Sequence, residues 1–177
     1  LVVRDPDNPV SQRARSLATG GGFDVPYALL ATYAKNARDA PAVAAVPGWH
    51  FVVVWCSSTA GRATRNYSFQ ARRFRADGSA LDAANFQVNT YTTNAQRAPA
   101  VATDAEGNFV VVWSSIGSAG GDTSNYSVQA RRFRADGSAP DVADFKATTY
   151  TPNDQKPPDA HTATAANFDR LWETSHA

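Results

Sequence analysis

The sequence is poor in the residues that advertise a chemistry. Cys56 is the only cysteine among 177 residues, so no intrachain disulfide forms and no paired-cysteine zinc site exists. Histidine is limited to His50, His161 and His176, scattered along the chain. No Walker loop, dinucleotide fingerprint or HExxH segment occurs. No apolar run approaches the roughly 18–20 residues that a helix needs to span a bilayer, so no such span is expected. The net charge of +1 gives no global reason to expect nucleic acid as a partner. Methionine is absent and the sequence begins at Leu1, which reads as a processed or excised segment with any targeting signal out of view.

What the sequence does have suits a folded β protein. Apolar residues at 43% and charged residues at 19% argue against wholesale disorder. Four Trp, six Tyr, nine Phe and several valine runs supply strong strand formers.

The dominant signal is internal repetition. Pro41-Ala42-Val43-Ala44 returns as Pro99-Ala100-Val101-Ala102, and FVVVW at Phe51–Trp55 returns at Phe109–Trp113. QARRFRADGSA runs from Gln70 to Ala80 and again from Gln129 to Ala139. The extra residue between Trp113 and Tyr126 marks that segment as a loop. Two whole units follow, 41–98 and 99–157. Partial units flank them: residues 1–40, where Gln12, Arg15, Ala18 and Gly20 match the later third strand, and residues 158–177, where Asn167, Phe168 and Trp172 match the second.

Each unit reads as four antiparallel strands. The first is short, around Ala42–Ala45. The second, Phe51–Ser57, is a continuous apolar run of the kind a strand buried on both faces needs. The third, Tyr67–Arg75, ends in an Ala-Asp-Gly turn. The fourth is Phe86–Thr92, followed by a polar turn at 93–96. The flanking pieces then supply strands three and four at the N-terminus and strands one and two at the C-terminus. Unfinished sheets expose unpaired edges, and propellers close by completing one sheet from both ends. The expected fold is therefore an all-β, propeller-like array of about three blades per chain, with a homodimer completing a ring. A β-trefoil, also three four-stranded units, is the alternative.

The pattern P-A-V-A, F-V-V-V-W, Q-A-R-R-F and A-D-G, here Pro99–Ala102, Phe109–Trp113, Gln129–Phe133 and Ala135–Gly137, resembles β-propeller-type repeats of large bacterial extracellular and surface proteins. The likeness covers residues 41–157 well and the flanks weakly. It implies a propeller-like fold and an extracellular or cell-surface setting, and no defined activity. The calcium-binding glycine nonapeptides that accompany such repeats are absent; Gly20-Gly21-Gly22-Phe23-Asp24 is not one.

Candidate site residues come from the repeated positions. Trp55 and Trp113 end the buried strand, where an indole either stacks on a sugar or packs between neighbouring units. Asn66-Tyr67 and Asn125-Tyr126 open the third strand in an N-x-S context. Asn94 and Gln96, with Asn153 and Gln155, occupy the repeated polar turn. Arg72, Arg73 and Arg75, with Arg131, Arg132 and Arg134, form either an anion-binding rim or a solubilising outer strand. His50 and His161 read as turn histidines, and Asp104–Asn108 reads as a hairpin turn. No catalytic set, metal site or cofactor is expected.

These features favour a non-enzymatic binding module with repeated shallow sites for carbohydrate, a lectin-like role. The alternative is a structural or protein-interaction segment of a larger adhesin-like protein. A hydrolase ranks below both, because the loop acids are not repeated in register.

Overall fold

The structure is a computed structural model that describes residues 2–4, 12–14, 28–29, 38–46, 50–58, 67–117 and 126–147. The chain is all-β, and among the described residues there is no helix. Eleven strands follow one another: β1 (Val2–Arg4), β2 (Gln12–Ala14), β3 (Ala28–Leu29), β4 (Arg38–Val46), β5 (His50–Ser58), β6 (Tyr67–Arg75), β7 (Phe86–Gln87), β8 (Gln96–Thr103), β9 (Phe109–Ile116), β10 (Tyr126–Phe133) and β11 (Phe145–Lys146).

They form two four-stranded antiparallel meanders, β4-β5-β6-β7 and β8-β9-β10-β11, and a three-stranded sheet, β1-β2-β3. Among the described residues no barrel or ring closes. The three-stranded sheet carries one strand more than the N-terminal sequence matches indicate, because β1 pairs with β2 from Val2↔Ala14 to Arg4↔Gln12.

The local structure follows from the residues. The FVVVW runs become the second strands, with Phe51 opposite Phe74 and Phe109 opposite Phe133. Those two pairs stack with ring centroids 5.2 and 4.8 Å apart. Pro41 and Pro99 cannot donate to a ladder, and each falls where the register slips between the first two strands of its sheet. The alanines before them, Ala40 and Ala98, take φ values of 49° and 50°, a conformation that costs an L-residue about 1–2 kcal/mol. The Ala-Asp-Gly turns end in Gly78 and Gly137, with φ of 84° and 85°.

The expected fourth strand, Phe86–Thr92, is shorter than the sequence suggests. Only Phe86–Gln87 pair, because Asn89 turns its side chain inward and its Oδ1 accepts the Phe69 N–H at 2.7 Å. The first strands are correspondingly longer, and Gln96 belongs to β8 rather than to the preceding turn.

The core explains why the second strands have no polar face. Side chains alternate across a strand, and in β5 the set Val52, Val54 and Cys56 joins Phe69, Ala71 and Val88 on one face of the first sheet. That face packs against Phe109, Val111, Trp113 and Phe133 of the second. The remaining sets, Phe51, Val53, Trp55 and Phe74 in the first sheet, and Val110, Val112, Val128 and Ala130 in the second, are buried on the far faces. The two sheets thus stack head to tail: the tryptophan face of one meets the valine face of the other. Burying a valine-sized side chain contributes about 1.5–3 kcal/mol, so these runs are the main stabilising feature.

The two first strands, β4 and β8, lie side by side, and Thr103 Oγ1 donates to the carbonyl of Ala45 at 3.4 Å. Polar contacts also tie the outer parts of the sheets. Asp144 accepts from the backbone of Thr90 and Tyr91, and Arg131 Nη1 donates to the Val88 carbonyl at 2.7 Å.

Candidate functional site

One end of the second sheet gathers polar groups that its core does not use. The connection from β7 to β8 arrives there, and the Ile116 N–H at the end of β9 donates to the Ala95 carbonyl at 3.1 Å. Asn94, in that connection, is exposed and has a φ of 63°. Asparagine is among the few non-glycine residues that accept this conformation readily. Its Nδ2 donates to the Tyr91 hydroxyl at 3.3 Å. Gly117, with a φ of 70°, lies near both: a Cβ there would lie 3.0 Å from Asn94 Nδ2 and 3.4 Å from the Tyr91 hydroxyl.

Beneath it, Gln96 sits opposite Ser115, and both are buried. Gln96 Nε2 donates to the Thr93 carbonyl at 3.2 Å, while its Oε1 and the Oγ atoms of Ser114 and Ser115 have no partner among the described residues. A polar layer continues across the sheet, where Gln129 Nε2 donates to Ser127 Oγ at 2.9 Å and Ser127 Oγ to the Ser115 carbonyl at 3.4 Å. The first sheet repeats it, with Gln70 to Ser68 at 3.1 Å and Ser68 to the Ser57 carbonyl at 3.4 Å. The signal for this layer was present in the sequence: Ser57, Ser68 and Gln70 recur as Ser115, Ser127 and Gln129.

The other sequence candidates are scattered. Trp55 and Trp113 are 1% and 0% exposed, and Trp113 packs 5.7 Å from Phe69 of the first sheet. Both indoles serve as core. Tyr126 is half-buried on the opposite face of the sheet from Gln96, with the Arg97 guanidinium 5.5 Å over its ring. Tyr67 opens β6 opposite Ser58. Asn66, Asn125, Asn153 and Gln155 lie outside the described residues.

The arginines of the third strands are engaged internally. Arg73 forks onto the Asp82 carboxylate, and Arg132 onto Asp141 with Nη2–Oδ1 at 2.6 Å. Arg72 donates to the Asp82 carbonyl at 3.0 Å, and its guanidinium lies 5.7 Å over Phe74. Arg75 and Arg134 bond Ser79 and Ser138 within their turns. Hydrogen bonding by Arg132 holds the Asp141 carboxyl below its ordinary range, and the same contact raises Arg132. Asp77 and Asp136 are likewise lowered, first by the side chains and then by the backbone N–H groups of Ser79 and Ser138.

His50 is not a solvated turn residue as the sequence suggests. It opens β5, is 9% exposed, and packs against Gly107 of the second sheet's first hairpin. That hairpin is the turn expected at Asp104–Asn108: Asp104 N–H donates to the Asn108 carbonyl at 2.9 Å, and Asp104 Oδ1 accepts the Asn108 N–H at 2.8 Å. Among the described residues no three His, Cys, Asp or Glu side chains gather as a metal site would require.

Comparison with known protein families, characterised proteins and solved structures finds no match to this chain.

Proposed function

We propose that this protein is a non-enzymatic binding module of the propeller type, lectin-like in its target, displaying a shallow polar site once per repeat unit. The observation that carries the reading is the exposed Asn94 amide, set at positive φ and hydrogen-bonded to the Tyr91 hydroxyl. An uncharged amide beside a phenol offers donors and acceptors together, which suits sugar hydroxyls. Tyr91 and Asn94 have sequence counterparts in Tyr33 and Asn36 and in Tyr150 and Asn153. Weak sites that recur in this way gain avidity on a repetitive target. The adjacency of β4 and β8, and the stacking of successive meanders, support a propeller-type arrangement in which first strands line the axis. An extracellular or cell-surface setting and a ring completed by two chains belong to the same reading.

Glycan arrays followed by calorimetry test it. The chain is expected to bind a neutral glycan, and Asn94→Gly, which keeps the turn conformation while removing the amide, is expected to weaken binding at least about tenfold, the loss of one or two well-placed hydrogen bonds. No binding to any glycan would end the lectin reading. The second reading, a protein-interaction segment of an adhesin-like protein, is favoured by the burial of Trp55 and Trp113, which leaves neither indole as a sugar platform.

A further inference from the structure

Among the arginines whose side chains are described, one guanidinium has no acceptor. Arg72 and Arg131 donate to main-chain carbonyls, Arg73 and Arg132 to aspartates, and Arg75 and Arg134 to the serines of their turns. Arg97, in β8, is exposed and makes neither a hydrogen bond nor an ion pair among the described residues. Its guanidinium lies 5.5 Å over the Tyr126 ring. A cation held over an aromatic face still has its N–H donors to give.

Ser114 adds a second group in want of a partner. It stands opposite Arg97 on one side and Val128 on the other, and Tyr126 lies two residues from Val128. Arg97, Ser114 and Tyr126 therefore share one face at one end of the second sheet. Ser114 is 4% exposed, and its Oγ has no partner among the described residues. A buried hydroxyl is unfavourable unless something polar reaches it. The first sheet lacks this set: its equivalent positions hold Asp39, Cys56 and Tyr67, an acid for the cation and a thiol for the hydroxyl.

We propose that this end of the second sheet binds an acidic sugar, a uronic acid, with Arg97 as the anchor of its carboxylate and Ser114 as the partner of a neighbouring sugar hydroxyl. A guanidinium fork matches a carboxylate with two parallel hydrogen bonds. A peptide carboxylate would engage Arg97 and leave Ser114 unpaired, whereas a uronate carries hydroxyls beside its carboxylate, and a serine both donates and accepts. Asn94 lies at the same end of the sheet, separated from Arg97 by at most about 11 Å of chain. The inference rests on the lectin-like reading and names the class of sugar: the Asn94 amide takes neutral hydroxyls, and Arg97 adds the charge.

NMR titration of the whole chain with glucuronate and with its methyl ester, which keeps the ring and removes the charge, tests the site. Glucuronate is expected to bind at least about tenfold more tightly than the ester, the margin of a charge-assisted pair, and to shift the Arg97 Nε–H resonance. Arg97→Gln, at an exposed position, is expected to abolish that preference, and Arg97→Lys to keep only part of it, since an ammonium cannot fork. Equal affinity for acid and ester, no shift at Arg97, or a preference that survives Arg97→Gln would overturn the proposal. So would acetate or a glutamate-bearing peptide binding Arg97 as tightly as glucuronate. Neutral-glycan binding that Asn94→Gly weakens, without preference for the acid, removes the Arg97 site and leaves the Asn94 reading; glucuronate held at Arg97 by a chain that binds no neutral glycan does the reverse.

Discussion

The Asp144 carboxylate, in the second sheet's outer loop, accepts the backbone N–H groups of both Thr90 and Tyr91 at 2.9 and 3.0 Å. In return, Thr90 Oγ1 accepts the Asp144 N–H at 3.3 Å. A single side chain therefore satisfies two consecutive amides of the segment that carries the candidate site, and ties that segment to the next meander. Asp144→Ala leaves those amides to solvent or to nothing. The expected cost is about 1–2 kcal/mol, read as a shift of the urea midpoint, with weaker glycan binding because the turn bearing Tyr91 and Asn94 loosens. An unchanged midpoint would show that the bonds contribute nothing net.

The contact of His50 with Gly107 gives a second expectation. Gly107 has a φ of 88°, and a Cβ there would sit 2.4 Å from His50 Cε1. Gly107→Ala therefore meets two penalties, a backbone one of about 1–2 kcal/mol and a steric one from the imidazole. Adding His50→Ala is expected to relieve only the steric part. A double-mutant cycle by denaturant unfolding separates them, and a coupling energy of zero would mean that the hairpin moves aside freely.

Acid titration addresses the Arg132–Asp141 pair. Asp141 has a depressed folded pKa, so its contribution to stability is fully present above its unfolded value of about 3.9 and is lost as pH falls through the lower folded value. Arg132 is more than half exposed, and solvent screening limits the contribution to below about 1 kcal/mol. Asp141→Asn is expected to lower stability slightly at neutral pH and to flatten the decline below pH 4. Parallel stability-versus-pH curves for the two proteins would contradict this.

Much of the fold was legible in the residues. The FVVVW runs announced strands buried on both sides, and Ala-Asp-Gly announced the turns after the third strands, because each needs only local chemistry. The third strand, Tyr67–Arg75, has the bounds that its sequence indicates. The fourth strand was not legible, since its shortening depends on where the Asn89 side chain lands, on a backbone N–H twenty residues away. The candidate site was half visible. Asn94 and Gln96 stood out as a repeated polar turn, but whether Gln96 faces solvent or core is decided by a strand boundary that moves by one or two residues. Tyr91 and Ser115 were marked only by recurring at equivalent repeat positions, and Gly117 carried no mark at all. His50 was misread for a related reason: its burial comes from Gly107 in the next unit, and no local pattern around Trp49-His50 reveals a neighbour brought in by stacking.

The unlike sides of the stacked meanders have a consequence for how such a protein grows. Val52, Val54 and Phe69 on one sheet are shaped to receive Trp113 and Phe109 on the next, so lock and key belong to opposite sides of the same module. A module duplicated in the gene enters the array already fitted to both of its neighbours, and needs no new surface to be accepted. Lengthening by whole copies is therefore the route of least resistance, while inserting or deleting a single residue inside a second strand would turn every key in that module to the wrong side at once.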